Sequence, residues 1–237
     1  TQGTLSASSN YTLNFTSNNL TVTPATLTIS GTTQSVVYGA GSTLSTAGFA
    51  SSGLVNGDSI SAVNVSYGGS AVVPQLTNAG TYSNSISLSG ATGVRLSNYQ
   101  IAYNPGTLVV TPASLTVTAD NVSMVYGANN LPTLTYSATG LVNGDLITGA
   151  LSTSATPYNG IAGSASNVGT YVINRGTIAA NSNYSINYIS GTLTVTPATL
   201  NIAANNQTTT YGTAITNLGT SQFTATGMVN GDTLSAV

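Results

Sequence analysis

The chain contains no cysteine, histidine or tryptophan, and neither lysine nor glutamate appears in its 237 residues. Charged residues make up 3% of it: Arg95, Arg175, Asp58, Asp120, Asp145 and Asp232 are the whole ionic inventory. Without His, Cys or Lys the usual general bases, thiol nucleophiles, Schiff-base amines and zinc ligands are missing. Pilin-type Lys–Asn cross-links are excluded for the same reason. Two arginines cannot displace enough counterions to hold nucleic acid. No apolar run approaches the roughly 18 residues of a membrane span, and no charged, then apolar, leader opens the chain. The expectation is a protein that is not an enzyme, has no cofactor, binds no nucleic acid and has no membrane span in this segment. Zero cysteines leave the redox compartment open. So few titrating groups also predict little dependence of stability on pH or salt.

What remains is mostly Thr, Ser, Asn, Gly and Ala, with many Val, Ile and Tyr. A hydrophobic fraction of 41% and a net charge of -2 are unlike disordered chains, which combine low hydrophobicity with high net charge.

The sequence repeats itself. Leu20-Thr-Val-Thr-Pro-Ala-Thr-Leu27 returns at Leu108–Leu115 and at Leu193–Leu200, with Pro24, Pro112 and Pro197 spaced 88 and 85 apart. Tyr38-Gly39, Tyr126-Gly127 and Tyr211-Gly212 keep the same intervals. Gly53-Leu-Val-Asn-Gly-Asp58 recurs at Gly140–Asp145 and, with Met228 for Leu, at Gly227–Asp232. Such order and spacing predict tandem copies of one unit of about 87 residues. Residues 1–24 read as the C-terminal part of a repeat, 25–112 and 113–197 as complete repeats, and 198–237 as the N-terminal part of a further one. The chain reads as a window on a longer array.

Each repeat reads as β. Tyr99, Ile101 and Tyr103 alternate with polar or small residues, as do Tyr184, Ile186 and Tyr188, and Tyr11, Leu13 and Phe15; a period of two marks half-buried strands. Gly106 and Gly191, just before the next apolar strand, read as hairpin turns. No stretch has a capped 3.6-residue period. Six to eight short strands per repeat predict an all-β array of small sandwich-like domains. At each Thr-Pro-Ala the apolar positions change parity: Leu108 and Val110 give way to Leu115 and Val117, and Leu193 and Val195 to Leu200 and Ile202. Side chains alternate faces along a strand, so the switch re-aims the apolar face between two separate cores. The proline gives a stiff, extended joint that ends each ladder.

The set of Tyr-Gly, Gly-Leu-Val-Asn-Gly-Asp, Gly-Thr-Tyr, Asn-Tyr-x-Ile-x-Tyr and Gly-Thr-Leu-x-Val-Thr-Pro-Ala resembles the MBG repeats, the mostly-β, glycine-rich, YGX-type units of large bacterial surface adhesins. Many of those proteins are similar to filamentous haemagglutinin and use two-partner secretion. Members commonly carry a charge on each side of Tyr-Gly; Val36-Val-Tyr-Gly-Ala40 and Met124-Val-Tyr-Gly-Ala128 carry none. The resemblance implies an extracellular or cell-surface stalk or adhesive repeat, and no catalytic residues.

Asp58, Asp145 and Asp232 are the candidate calcium ligands, recurring in register. Calcium takes six to eight oxygens, usually from several carboxylates, whereas each repeat offers one Asp here. Asn-Gly and Gly-Asp are strong turn formers, so Gly57, Gly144 and Gly231 read first as turn residues. Tyr38, Tyr126 and Tyr211 have the choice of stacking on sugar rings or packing beside a turn with the hydroxyl bonded to backbone; packing is favoured. The ligand-binding residues are unknown from sequence. The reading is a structural stalk whose partners are neighbouring repeats, other copies in a fibre, or a host or matrix glycan or protein. The alternatives are a glycan-binding β module, or a fibre subunit completed between chains.

Overall fold

A computed structural model describes residues 2–215 and 222–234. Residue 1 of the first partial repeat, and 216–221 and 235–237 of the last, lie outside the described residues. Among those described there is no α-helix; one 3₁₀ turn, Leu96–Asn98, stands among strands, and no helix is long and apolar enough to cross a membrane. The chain divides into two compact units. One holds residues up to Val36, Gly41–Pro74 and Gly80–Val110. The other runs from Thr111 onward and takes in two short segments, Val37–Ala40 and Gln75–Ala79.

The strands of residues 25–112 are β1 (Ala25–Gly31), β2 (Gln34–Val37), β3 (Phe49–Ser52), β4 (Ile60–Tyr67), β5 (Gly80–Gly93), β6 (Tyr99–Asn104) and β7 (Gly106–Thr111). They form two sheets, ordered β3-β1-β6 and β2-β7-β5-β4. Residues 113–197 repeat the plan with β8 (Ala113–Ala119), β9 (Val122–Val125), β10 (Tyr136–Thr139), β11 (Ser152–Thr153), β12 (Gly169–Asn174), β13 (Tyr184–Ile189) and β14 (Gly191–Thr196), in sheets β10-β8-β13 and β11-β12-β14-β9. An all-β pair of tandem copies is what the period predicts.

The hairpin expected at Gly106 and Gly191 is not there. β6 lies parallel to β1, with Leu27 beside Ile101 and Ile29 beside Tyr103, while β7 pairs with β5 in the other sheet. In the second copy β13 runs parallel to β8 and β14 parallel to β9. Two chain segments therefore travel side by side out of one sheet and into the other. The glycines mark that crossing. A Cβ on Gly31 would lie 2.6 Å from the Gly106 nitrogen, and one on Gly106 would lie 2.6 Å from the Thr32 carbonyl oxygen. One on Gly191 would lie 2.7 Å from the Asp120 carbonyl oxygen. Close backbone approach, and not a turn dihedral, requires glycine at these positions.

Burial follows the parity read from the sequence. β7 buries Gly106, Leu108 and Val110; after Pro112, β8 buries Ala113, Leu115, Val117 and Ala119. Leu27, Ile29, Ile86 and Leu108 are sealed in the first unit, and Leu115, Val117, Ile173 and Leu193 in the second. The third copy is different. β15 (Asn201–Ala204) pairs antiparallel with β16 (Phe223–Thr226), as β1 does with β3, and has no parallel neighbour among the described residues. Leu200, which corresponds to the fully buried Leu27 and Leu115, is 42% exposed. Residues 2–24 contain no strand, and Leu20 and Val22 stand 90% and 85% exposed.

The three corresponding leucines give a controlled comparison. Leu27→Ala and Leu115→Ala should each cost about 2–5 kcal/mol, the usual penalty for emptying a packed site. Leu200→Ala in dilute solution should stay within about 0.5 kcal/mol, as exposed substitutions do. Urea unfolding of the three variants measures this; equal costs at all three would contradict the burial pattern.

Candidate functional site

The three Asn-Gly-Asp segments are turns of one kind. Asn56, Asn143 and Asn230 have φ of 55°, 57° and 58°, and Gly57, Gly144 and Gly231 of 72°, 76° and 73°. In each, the Asp nitrogen donates to the Val carbonyl three residues back, at 3.0, 3.0 and 3.1 Å. Positive φ at both central positions is the type I′ geometry, which Asn-Gly adopts most readily.

The turns of the two complete repeats aim their carboxylates at a tyrosine from the Asn-Tyr strand. The Tyr99 hydroxyl donates to Asp58 Oδ2 at 2.9 Å, and the Tyr184 hydroxyl to Asp145 Oδ2 at 2.8 Å. The same hydroxyls accept from the backbone N–H of Val55 and Val142, at 2.9 and 3.0 Å. One phenol therefore caps the start of the turn and satisfies its end. Asp58 is buried and has Arg95 Nη1 3.4 Å from Oδ1, an arginine that itself stands 64% exposed. Asp120 accepts from Thr135, and Arg175 donates to the Ile178 carbonyl, so neither joins these sites.

In the second unit a further layer is added. Tyr38, in the segment Val37–Ala40, donates to Asp145 Oδ2 at 2.9 Å and packs edge-on against Tyr184, with ring centroids 5.6 Å apart. Its backbone N–H is held by the Thr111 carbonyl. Gly39, at φ 78°, lies against Val142: an added Cβ would fall 2.4 Å from a Val142 methyl. Asn143 donates to the Gln75 carbonyl, and Asn183 exchanges bonds with Asn78 and the Ala79 N–H. The arrangement recurs at Tyr126, whose N–H is held by the Thr196 carbonyl and whose hydroxyl receives Asn230 Nδ2 at 2.7 Å. A Cβ on Gly127 would lie 2.4 Å from Val229. Asn230, buried, also accepts from Ala165 and Gly163. Tyr38-Gly39 and Tyr126-Gly127 thus each grip the Val-Asn-Gly-Asp turn of the next sequence copy.

The remaining predicted residues are placed simply. Pro112 sits between β7 and β8, Pro197 follows β14, and Pro24 precedes β1. Tyr211 is fully exposed, and nothing lies within 4 Å of a Cβ on Gly212. Asp232 has no tyrosine hydroxyl on it among the described residues. Among them, too, no three acidic, His or Cys side chains converge; the Oδ2 atoms of Asp58 and Asp145 are engaged by phenols, Asp58 Oδ1 faces Arg95, and Asp145 Oδ1 accepts from Asn181. Gln75, Asn78 and Asn183 were missed in the sequence. Asn183 had a signal in the recurring Asn-Tyr dipeptide; Gln75 and Asn78 lie in a loop with no counterpart motif.

The electrostatics centre on Asp145. The hydroxyls of Tyr184 and then Tyr38, against some opposing burial and with help from Asn181, hold its carboxyl below the usual carboxylate range. Burial first pushes the Tyr184 phenol up, and the hydrogen bond and charge of Asp145 add to it against the opposing Val142 backbone bond. A depressed carboxyl stabilises the fold above its unfolded pKa, and that contribution is lost as pH falls through the depressed native value. Thermal melts over a pH series should therefore show an acid limb, at and below the ordinary carboxylate range, that is flatter in Asp145→Asn; superimposable limbs would exonerate Asp145. A second prediction concerns space. Gly39→Ala and Gly127→Ala meet both positive φ and a valine and should cost about 2–4 kcal/mol. Gly57→Ala meets open space and should cost only the conformational part, about 1 kcal/mol. Urea unfolding of the three variants ranks them.

No curated protein and no solved structure matches the chain. A family model described as MBG domain (YGX type) matches it twice, over residues 27–109 and 115–194. The Tyr-Gly turns of the family's description are the ones that grip a neighbouring turn here. Two matches across most of the sequence place this chain in the YGX-type MBG domain family, as a tandem pair of its domains.

Proposed function

We propose that the chain is the structural repeat region of an extracellular bacterial adhesin or surface filament, serving as an extended stalk in cell adhesion or biofilm. The observation that supports this is a contact made twice between the same sequence elements: Tyr38-Gly39 on Val142 and Asp145, and Tyr126-Gly127 on Val229 and Asn230. In this reading each repeat meets a segment of its neighbour by shape and hydrogen bonding, and the contact can be repeated along an array. The same geometry weighs against a glycan module, because the hydroxyls of Tyr38, Tyr99, Tyr126 and Tyr184 are spent inside the fold.

In this reading the Thr-Pro-Ala joint and the turn contact together fix orientation. Proline restricts its own φ and the residue before it. Taking about ten residues of extended chain, roughly 33 Å, as the length of a repeat, successive repeats should advance by about 35–45 Å. Small-angle scattering of the chain should give a narrow, elongated distance distribution. Replacing Thr111, Pro112 and Ala113 together by glycine should broaden it while both domains still melt cooperatively. A compact particle before any substitution would remove the stalk reading.

A further inference from the structure

Asn-Gly is a reactive pair as well as a turn former. The glycine nitrogen, with no side chain beside it, can attack the asparagine Cγ, and groups on adjacent residues meet at high effective concentration. Three such pairs lie in the second unit, at Asn143, Asn159 and Asn230. Asn159-Gly160 belongs to none of the Val-Asn-Gly-Asp turns; it lies in the loop between β11 and β12.

The three differ in what holds the side-chain amide. Asn230 is buried, its Nδ2 donating to the Tyr126 hydroxyl at 2.7 Å and its Oδ1 accepting from the Ala165 N–H at 3.0 Å. Asn143 is exposed, and its Nδ2 donates to the Gln75 carbonyl at 3.1 Å. Asn159 is exposed, and its Nδ2 bonds nothing among the described residues. Its Oδ1 accepts from the Ile161 N–H at 3.1 Å, an Asx turn that folds the side chain back along the Gly160 peptide. Gly160 has φ 93°, with nothing within 4 Å of an added Cβ, and its N–H makes no backbone bond among the described residues. The attacking nitrogen and the leaving amide are both unencumbered there.

We propose that Asn159-Gly160 is a self-modification site, converting to aspartate and isoaspartate without an enzyme, and that hydrogen bonding keeps Asn230, and in part Asn143, from the same reaction. The Gly160 nitrogen bonds to Asn159 Cγ and gives its proton to solvent base, and Oδ1 takes the negative charge. The Ile161 N–H already donates to that oxygen, and a backbone donor aimed at a developing oxyanion lowers the barrier. The Cγ–Nδ2 bond then breaks, and ammonia leaves with a proton from solvent. A succinimide ring remains, which one water opens at either carbonyl. The sum is amide plus water to carboxylate plus ammonium. At Asn230 the two partners lie 104 and 65 residues away and hold both ends of the amide. Turning Cγ toward the Gly231 nitrogen breaks both bonds.

The loop carrying Asn159 also holds Asn230. The Asn159 N–H donates to Ser164 Oγ, while Gly163 and Ala165 donate to the Asn230 carbonyl and Oδ1. Isoaspartate routes the main chain through Cβ and Cγ, lengthening it by one methylene, and leaves a charged α-carboxylate in an uncharged loop. Conversion therefore loosens the hold on Asn230. The stalk reading neither requires nor forbids this.

Ageing the whole chain at mildly alkaline pH tests the proposal, with mass-spectrometric mapping of chymotryptic peptides and isoaspartate counted by enzymatic methylation. Asn159 should convert about tenfold or more faster than Asn230, since one retained hydrogen bond is worth about that factor in rate. Asn143 should fall between them. In urea the three rates should converge, because the folded hydrogen bonds are gone. Asn159→Gln should remove the fast conversion and leave the melting curve in place. Amide exchange at Ala165 should quicken in the aged chain but not in Asn159→Asp, which adds the charge without the methylene. Equal rates at Asn159 and Asn230 in the folded chain, or the same spread of rates in urea, overturn the site. Unchanged Ala165 exchange in fully aged chain overturns its effect on Asn230.

Discussion

The fold of each repeat turns on a phenol meeting a carboxylate. Tyr99 on Asp58 and Tyr184 on Asp145 tie the last third of a repeat to its Asn-Gly-Asp turn, across 41 and 39 residues of sequence. A hydrogen bond to an ionised partner is worth about twice a neutral one, and a chain with four aspartates has few places to make one. That bond fixes where the turn points. The turn's valine then fixes which neighbouring backbone can approach, and only a glycine in positive φ can come that close. In this chain Tyr38-Gly39 and Tyr126-Gly127 thus answer to the copy that follows, as well as to a local turn preference.

This explains why charge can be so scarce. Strand pairing and apolar layers hold the sheets, hydroxyl and amide side chains satisfy the backbone at turns, and among the described residues no buried side-chain polar atom lacks a partner. Buried polar groups are costly only when left unpaired. Thr, Ser and Asn do this work without bringing titration with them, Asp145 apart.

Much of the fold was legible. The period, the alternation in Tyr99–Tyr103 and the parity switch at Pro112 each state a local fact about which face a residue shows, and periodicity reports faces well. Gly106 and Gly191 misled because a glycine before a strand has two physical meanings, positive φ and close approach, and the sequence does not separate them. Only the parallel partner, some 75 residues away, shows that the second applies. The grip of Tyr38 on Asp145 was hidden for a different reason. Comparing repeats aligns equivalent positions, whereas this contact joins non-equivalent positions of successive copies. The recurrence of Asp58 and Asp145 is different: each meets the tyrosine of its own copy, Tyr99 or Tyr184, which recurs with it.

The crossing at Gly31 and Gly106, and its counterpart at Gly191, bears on how a repeat would carry tension. In the second copy the line from Ala113 to Val125 runs parallel to the line from Tyr184 to Thr196, through both sheets. A pull applied at Ala113 and at Thr196 drags these two lines past each other lengthwise. Every rung between them is then strained at once, in shear, and none can be opened one at a time from an end. The fold places two successive parallel ladders in the path of the load.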